Sequence, residues 1–533
     1  MKNWLKDLFT SKKRIQDDNG FPIVWDNSLI SIYQFLLPYK DADKLPDTAQ
    51  NLPDESHDDS KIKWAAGAMD GVMNHHVSST EQTCVEQILA LLRAVSVQPN
   101  KQDIAKLYTL IKEQGTLSYI DELTEKMAKA EVNFNKLYEF VYWLLLNSPD
   151  REVIKFSIAI LGRFNTSQKE LFLLFAMHDE FTLYSAVALQ NTLSPPIEVE
   201  NALLTLAKKV DGWGRIHLVE RLAKNPSQEV KNWLLREGYK NSVMYEYLAY
   251  TCATAGDLQT ALAQPSADMA LLVATGEMIE ALIMGGPAED MRDYDQGASV
   301  CLCYLTQLAQ HQLTDINILR TFLIMQDFVV NQTDDSYPNW SDDIKVELQT
   351  TLTDLIQQEH WLPLVEESLQ TDDQSLCWLA TDIYTRLGYD AWDVRFEHQK
   401  RYQNEQWFYL MQTNDSQRVE QAMTLAKQQN DFSLVATGPD ESLGLGPEFK
   451  LHRNLDSFLQ ELGRFPGMGE DLLLIGLNSP VIRNRNMALN AIESWDRQLW
   501  SPELKHVLKT LAQNEPNEDT KQRVITLLNS LGA

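Results

Sequence analysis

The sequence predicts an all-α chain, and three observations support this fold class. Gly and Pro number 22 and 19 among 533 residues, together about 8% against a typical usage of roughly 12%, which leaves few turn formers for an all-β fold. Between Ile197 and Val210 the apolar residues recur at the spacing of one helix face. Strand-type alternation is nowhere sustained over a comparable length.

Repeated segments indicate how the helices are organised. A chain of this length is too large for one ordinary compact core, so we expect several domains or an elongated array of repeats. Five segments share a polar turn followed by an apolar helix, in which Asn, Ser or Asp caps the helix and proline suits its first turn. They are 147–149 before 151–164, 225–227 before 228–238, 478–480 before 481–495, 514–516 before 517–532, and the proline-free relative 371–388. Pro480 and Pro516 are 36 residues apart, a spacing typical of helix-pair repeats.

These segments resemble HEAT repeats, in which a polar turn precedes a second helix with a V-R/K…A…L pattern. The pattern is seen in Val153-Ile154-Lys155 with Ala159 and Leu161, and in Ile482-Arg483 with Ala488, Leu489 and Ile492. The resemblance covers 136–240 and 470–533, with a degenerate middle. It implies an armadillo-like α-solenoid, whose concave face usually binds another macromolecule.

The resemblance and the composition together predict the domain organisation. We expect an amphipathic helix and lead-in at 1–38, an acidic loop at 39–61, a divergent helical cap at 62–135, a HEAT-like α-solenoid at 136–435, a Gly/Pro loop at 436–450, and further HEAT-like repeats at 451–533. The N-terminal helix places Trp4, Leu5, Leu8 and Phe9 among lysines, and we expect it to pack on the body rather than on a membrane surface.

A second resemblance is confined to three stretches. Residues 64–76, 211–222 and 230–253 are similar to an uncharacterised bacterial family of helical proteins that is sometimes labelled limonene hydroxylase. A hydroxylase requires haem, flavin or non-haem iron, and the sequence contains no dinucleotide-binding glycine motif and no cysteine loop for haem. We therefore expect no cofactor.

Charge and cysteine content limit the partners and the compartment. The formal net charge is −28, and the only basic run is Lys12-Lys13-Arg14, which disfavours nucleic-acid binding, including that of a HEAT-like DNA glycosylase. The five cysteines are scattered through apolar stretches, as buried thiols of a reducing compartment are. Apolar runs such as 140–146 are far shorter than a membrane span. The sequence thus predicts a cytoplasmic protein without a transmembrane segment.

Candidate sites are few. Familiar nucleotide, hydrolase, metalloprotease and kinase motifs are absent from the sequence, and the glycines at 444–446 and 467–469 fit interhelical loops. Asp70, His75 and His76 carry metal-ligand chemistry, but neighbouring helical side chains diverge by about 100°, so we expect no metal. The acidic stretch 285–297 lacks EF-hand spacing and is predicted to be an exposed loop.

A second cluster lies on one predicted helix face. His217, Glu220 and Arg215 are candidates for acid–base catalysis, and the same residues suit an ion-pair network between repeats, which we favour. For partner binding the candidates are the aromatic residues Trp213, Trp233 and Trp64.

The sequence favours a non-catalytic binding or scaffold protein over an enzyme. Its expected partner is a protein or peptide, of basic character because the chain is acidic. The alternative is an enzyme, metal-assisted or acid–base and of the oxidoreductase kind that the family label suggests, with a helical active site near His75, His76 and His217.

Overall fold

The computed structural model describes residues 21–55, 64–76, 84–164, 168–264, 267–332, 337 and 339–529, with 73–76 described by their backbone alone. These residues form α-helices joined by short turns and contain no β-strand, apart from an isolated parallel bridge between Ser442 and Val481. The predicted all-α class is confirmed. The amphipathic N-terminal helix was expected within residues 1–38. Residues 1–20 of this stretch lie outside the described residues.

The chain divides into two compact units, 1–358 and 359–533. Eighteen α-helices are described in the first unit: α1 Ile32–Leu36, α2 Ala68–His76, α3 Val85–Val97, α4 Lys101–Glu113, α5 Ile120–Ala128, α6 Phe134–Asn147, α7 Arg151–Leu161, α8 Lys169–Ala176, α9 Asp179–Thr192, α10 Pro196–Ala207, α11 Gly212–Leu222, α12 Gln228–Trp233, α13 Ala249–Ala255, α14 Leu258–Leu262, α15 Met269–Met284, α16 Gly297–Leu308, α17 Ile316–Asn331 and α18 Asp342–Ile356. Helix α12 continues into one π-helical turn, Leu234–Gly238.

Ten α-helices are described in the second unit: α19 Trp361–Leu369, α20 Gln374–Arg386, α21 Trp392–Tyr402, α22 Trp407–Met411, α23 Ser416–Gln429, α24 Lys450–Leu459, α25 Glu470–Leu477, α26 Ile482–Ser494, α27 Pro502–Asn514 and α28 Glu518–Asn529. The glycine-containing stretches at 444–447 and 466–469 lie between helices, as expected. No helix in the described part of the chain has the length and apolar character that a bilayer crossing requires.

Helices within each unit pack mainly on their neighbours in sequence. In the first unit α9 contacts α7, α8 and α11, and in the second α25 contacts α24, α26 and α27. The apolar faces meet in continuous cores, for example around Leu455, Phe458 and Leu489. All five cysteines are free thiols, four of them buried and Cys303 half-buried. The helices of this core thus bury their apolar residues against near neighbours, which agrees with the one-sided patterns in the sequence.

The Asn-Ser-Pro turns of the two units have the same local structure. The amides of Asn147 and Asn478 donate to the carbonyl four residues earlier, each at 2.9 Å. The hydroxyls of Ser148 and Ser479 accept the N–H two residues later, at 3.2 and 3.1 Å. Of the Asn, Ser or Asp side chains expected to cap the following helix, the two asparagines do not, because their amides donate to the end of the preceding helix. Ser227 does cap its helix and accepts from Val230 N–H at 3.3 Å.

A fully buried ion pair anchors the last helices. Nε and Nη2 of Arg485 on α26 lie 2.7 and 2.6 Å from the carboxylate oxygens of Glu515, in the turn before α28. Both side chains are 0% exposed. Arg485 also donates to the carbonyl of Ser479 at 2.8 Å, which connects the two proline turns of this unit.

We expect Glu515→Gln to lower the free energy of unfolding by about 3–5 kcal/mol, because it leaves the Arg485 charge buried without its counterion. Urea unfolding of the full chain, followed by circular dichroism, measures the loss. The matched control is Glu493→Gln, since Glu493 binds Arg523 through the same two nitrogens at 2.7 Å each but on the surface. Its cost should stay below about 1 kcal/mol. Equal losses of unfolding free energy in the two variants would contradict the claim that burial makes the Arg485–Glu515 pair important for stability.

Candidate functional site

A cavity of about 630 Å³ lies in the first unit. Its lining comes from the segments 44–55, 64–66, 177–179, 209–213 and 242–243, together with Arg151. Three helices begin at this cavity, since Arg151, Asp179 and Gly212 are the first residues of α7, α9 and α11. These helices pack in succession, α7 on α9 and α9 on α11, so their N-terminal ends lie side by side.

The chain's own carboxylates accept hydrogen bonds from N–H groups at the starts of α7 and α11. The first N–H of α7 donates to Asp54 Oδ2 at 2.8 Å, and Gly214 N–H in α11 donates to Asp179 Oδ1 at 3.0 Å. The first N–H of α11 donates to Asp211 Oδ1 at 2.8 Å. Helix N-termini attract anions, but here the attraction is already satisfied internally. The cavity consequently presents carboxylates rather than empty N–H groups.

A buried network of charges lies beside the cavity. Lys155 of α7 is 1% exposed, and its Nζ lies 2.8 Å from Asp70 of α2, 2.9 Å from Glu152 and 2.7 Å from Glu180 of α9. The other oxygen of Glu180 accepts Gly67 N–H at 2.8 Å. One ammonium group therefore joins α2, α7 and α9.

The network shifts the pKa values of its members in different directions. Burial raises the pKa of Asp70, and the attraction of Lys155 only partly offsets this effect. Burial also disfavours the ionised form of Glu180, but Lys155 and the Gly67 N–H outweigh it, so the pKa of Glu180 is lowered. Burial opposes the charge on Lys155, yet its carboxylate neighbours hold the pKa above the ordinary value. Lys155 stays charged.

Arg151 fixes one of the segments that line the cavity, residues 44–55. Its guanidinium binds the Asp54 carboxylate through Nε and Nη2, at 3.0 to 3.2 Å, and also contacts Glu55. With the backbone N–H bond to Asp54, this arginine ties the residues before position 56 to the start of α7. The loop is thus held by charge-assisted hydrogen bonds, which are stronger than neutral ones.

Glycines permit the close approach of the elements around Trp213. A Cβ at Gly71 of α2 would lie 2.2 Å from the Trp213 ring, so this position requires glycine. On another side the ring meets Tyr247 edge-to-face, with centroids 4.9 Å apart. Trp213 is buried yet lines the cavity, and Trp64 lines it as well with 59% of its surface exposed.

Asp179 is the cavity residue with the most perturbed carboxyl group. Burial raises its pKa to about 7; the hydrogen bond from Gly214 N–H and the charge of Lys44 lower it, while Asp211 and Glu180 raise it further. A Cβ at position 214 would lie 2.3 Å from Asp179 Oδ1, so glycine is required there too. Among the described residues no hydrogen bond or ion pair engages Asp179 Oδ2.

His178 has a structural role beside Asp179. Burial lowers its pKa to about 4, so the ring is neutral near pH 7. Its Nδ1 accepts Glu180 N–H at 3.2 Å, which leaves Nε2 to donate to the Gln50 carbonyl at 3.2 Å. His178 thereby connects α9 to the segment 44–55.

The structure brings two of the three predicted binding residues to the cavity. Trp213 and Trp64 both line the cavity, whereas Trp233 does not. Trp233 instead lies under the guanidinium of Arg215, 5.3 Å from the ring centroid. The structure thus assigns two of the three aromatic candidates to one site.

The acid–base candidates lie outside the cavity lining. His217 is 1% exposed, and its Nδ1 lies 3.7 Å from Glu220. Arg215 donates from its guanidinium to the Glu237 carbonyl. Arg221 donates to the carbonyl of His217 at 2.8 Å. These contacts join α11 internally and to the turn after α12.

Of the metal candidates, the structure describes the side chain of Asp70 alone, and this residue does not belong to the cavity lining. Asp70 is paired with Lys155, and the side chains of His75 and His76 lie outside the described residues. In the part of the chain that the structure describes, no three His, Cys, Asp or Glu side chains are grouped as metal ligands. The acidic loop at 285–297 is not exposed throughout, because Asp290 is buried and binds Arg292 at 3.1 Å.

Several site residues were missed by the sequence analysis. Lys155 had a signal, since it is a single charge within the apolar run 153–161, but its partners are far away in sequence. Asp179 and Arg151 look like ordinary charged residues of a first helical turn. Only the tertiary structure identifies them as parts of one cavity.

Comparison with protein-family models, with curated proteins and with solved structures finds no match to this chain. The resemblances to HEAT repeats and to the limonene hydroxylase-labelled family therefore depend on the sequence patterns alone.

We expect Lys155→Met to lower the free energy of unfolding by about 3–5 kcal/mol, because three carboxylates lose their buried counterion. Urea unfolding at pH 7.5 measures this. Lys129→Met is the matched control, since Lys129, the residue directly after α5, also pairs with a glutamate of the adjoining helix but is 73% exposed at the side chain. Its cost should be below about 0.5 kcal/mol. A similar small cost for Lys155→Met would mean that the network does not hold these helices together.

We expect Asp179→Asn to become more stable relative to the natural chain as the pH rises. The folded-state pKa of about 7 exceeds the ordinary value of 3.8, so ionisation of Asp179 costs stability progressively between pH 4 and 7. Between pH 5 and pH 8 the difference in unfolding free energy between variant and natural chain should change by about 2.6 kcal/mol in favour of the variant. An unchanged difference would show that Asp179 titrates normally.

Proposed function

We propose that this chain is a non-catalytic cytoplasmic scaffold, an α-solenoid of HEAT-like helix pairs that binds a basic segment of a protein or peptide in the cavity. Packing between sequence neighbours supports the solenoid, because repeat arrays are built from such contacts. The identical Asn-Ser-Pro turns of α7 and α26 support the HEAT-like pairs. The large acidic excess of the sequence supports a basic partner.

The observation that supports the proposal most directly is which charged groups of the cavity are already paired and which are not. Within the described residues, no hydrogen bond or ion pair engages one oxygen of the Asp179 carboxylate that lines the cavity, whereas the lysine and arginine side chains of the lining are engaged. Arg151 binds Asp54 and Glu55, and Lys209 donates to the Ala42 carbonyl at 2.9 Å. A cationic group gains a partner here, and an anionic group has to displace existing bonds.

The aromatic residues of the cavity suit the same ligand. Trp64 offers an exposed ring, and Trp213 contributes the edge of a fixed one. Cations bind favourably over tryptophan faces, and the aliphatic part of a lysine or arginine packs on them. Tryptophan is also enriched among residues that dominate binding energy.

An enzyme is the second candidate, and one observation favours it. A carboxyl group with a pKa near 7 suits general acid–base chemistry at neutral pH, and Asp179 has this property within a cavity. A scaffold releases its ligand unchanged, whereas such an enzyme alters it. Mass spectrometry of the peptide after incubation separates these outcomes.

The test uses three fluorescein-labelled probes of equal length: a Gly/Ser peptide with four lysines, its counterpart with four glutamates, and a single-stranded oligothymidylate. Fluorescence anisotropy should show binding of the lysine peptide alone, weakened at least fivefold between 50 and 300 mM NaCl because salt screens exposed charges. The recovered peptide should have an unchanged mass. Preferential binding of the glutamate peptide or the oligonucleotide would overturn the proposal.

A pair of variants locates the binding. Trp64→Ala should weaken the affinity for the lysine peptide at least threefold, because it removes an aromatic wall of the cavity. Trp378→Ala is the control, since Trp378 is comparably exposed at 44% but belongs to the second unit. Equal affinities of the two variants would show that the lysine peptide binds elsewhere on the acidic surface.

A further inference from the structure

A second cavity, of about 400 Å³, lies along helix α15 in the first unit. One face of α15 lines it with the residues Val273, Glu277, Glu280, Ala281 and Met284. This face is about 16 Å long, because an α-helix rises about 1.5 Å per residue. The rest of the lining comes from the turn at 245–246, from Tyr304 of α16 and from 315–321 at the start of α17. The cavity shares no lining residue with the one that contains Asp179.

Carboxylates outnumber cations in the lining of this second cavity. The carboxylates are Glu246, Glu277, Glu280 and Asp315, and the cation is Arg320. Glu280 Oε2 lies 3.4 Å from Arg320, and Glu277 Oε2 lies 3.9 Å from Nζ of the nearby Lys240. Among the described residues no ion pair engages Glu246 or Asp315. The cavity therefore holds negative charge that these parts of the chain do not neutralise.

The two carboxylates without an ion pair are held on separate elements. Glu246 is half-buried in the turn Tyr245–Tyr247, and its Cβ would lie 3.3 Å from a Cβ at Gly286, just beyond the end of α15. Asp315 caps α17, and its Oδ1 accepts the backbone N–H and the side-chain amide of Asn317 at 2.9 Å each. Both the turn and α17 pack on α15. The packing thus places both carboxylates in one cavity before a ligand arrives.

Tyr304 contributes a buried hydroxyl that lacks a donor. Its side chain is 0% exposed, and no hydrogen bond engages the hydroxyl among the described residues. A Cβ at Gly276 would lie 2.7 Å from this hydroxyl and 3.2 Å from Thr321 Oγ1. The proton of Thr321 is already directed to Glu280 Oε1 at 2.6 Å and to the Asn317 carbonyl at 3.1 Å. Because buried hydroxyls ordinarily have partners, an N–H donor from a ligand is the group that this cavity lacks.

We propose that this second cavity binds a linear aliphatic polyamine. Its ammonium groups pair with Glu246 and Asp315, and an amine N–H between them donates to the Tyr304 hydroxyl. The methylene chain packs on the apolar residues of the α15 face and on the ring of Tyr245, as the stem of a lysine does on apolar and aromatic surfaces. The inference is independent of the proposed function, since it concerns another cavity. No covalent step is involved.

The arrangement favours a polyamine over a metal ion or an anion. A hard metal ion requires several oxygen ligands at one point, and in the described part of the chain no three acidic, histidine or cysteine side chains meet in this way. A polyamine instead carries charges several ångströms apart, joined by apolar links, which matches carboxylates on separate elements. Met284, the last residue of α15, lines the cavity, and the partial negative charge of a helix C-terminus favours cations.

The experiment is isothermal titration calorimetry of the full-length natural chain with spermidine, butylamine and MgCl2, at pH 7.5 in about 150 mM NaCl. Spermidine should bind at one site per chain and at least tenfold more tightly than butylamine, which has a single charge. About 5 mM Mg²⁺ should weaken spermidine binding less than threefold. Spermidine that merely neutralises the acidic surface would bind at many sites, and Mg²⁺ would displace it.

Three variants test the assigned residues, with folding checked by circular dichroism. Glu246→Gln should weaken spermidine binding at least fivefold, and the fold should be unaffected because no hydrogen bond of the described residues engages this carboxylate. Tyr304→Phe should weaken it at least threefold by removing the acceptor without leaving a buried polar atom. Glu366→Gln is the control, since Glu366 is exposed and belongs to the second unit, and it should leave the affinity unchanged.

Three results would overturn the inference while leaving the proposed function intact. The first is no spermidine binding at concentrations up to about 1 mM. The second is equal spermidine affinity of Glu246→Gln and Glu366→Gln. The third is weaker binding of the four-lysine peptide, but not of spermidine, to Glu246→Gln, which would assign the cavity to a protein partner. The proposed function fails separately, through the probes and the Trp64→Ala variant described for the first cavity.

Discussion

The buried charge of Lys155 is the interaction on which the first unit depends. Its ammonium group lies within 2.9 Å of carboxylates from three helices, whereas the ion pair of Arg151 with Glu180, between α7 and α9, is longer at 3.9 Å. Because Asp70 is held there, α2 lies where Gly71 can accept the Trp213 ring. Because Glu180 is held there, the start of α9 is fixed and Asp179 lines the cavity.

A buried ion pair does not by itself guarantee stability, since desolvation opposes the attraction. The ion pairs instead fix positions. Each carboxylate has one favourable place beside the Lys155 ammonium, and the helices that carry these carboxylates are thereby held around the cavity.

The second unit uses the same principle with different residues. Arg485 and Glu515 are wholly buried and link α26 to the turn before α28, as Lys155 links α7 to its neighbours. In both units the charged residue follows an Asn-Ser-Pro turn by a few positions. In each unit the turn sets the direction of the helix, and the buried cation of that helix, Lys155 or Arg485, then binds a carboxylate of a neighbouring segment. This parallel gives the repeated sequence pattern a physical meaning that apolar periodicity alone does not supply.

Much of the fold could be predicted from the sequence, because helices depend on local spacing. The one-sided apolar pattern of 197–210 and the polar turn at 225–227 correspond to α10 and to the capped start of α12. The candidate site could be predicted only in part. Trp213 has a conspicuous sequence setting between two glycines, and it lines the cavity. Asp179 has none, because its raised pKa comes from burial in the folded chain and its Oδ1 is held by Gly214, 35 residues later. Contacts over such separations leave no periodic trace in a single sequence.

The central claim is that a cation binds between the starts of α9 and α11, and hydrogen–deuterium exchange tests it most directly. The natural chain is compared with and without a saturating concentration of the four-lysine peptide, and exchange is followed in proteolytic fragments by mass spectrometry. We expect slower exchange in fragments covering 209–216 and 239–246, with no change in fragments covering 470–529. Slower exchange confined to the second unit, or none at 209–216 under saturation, would contradict it.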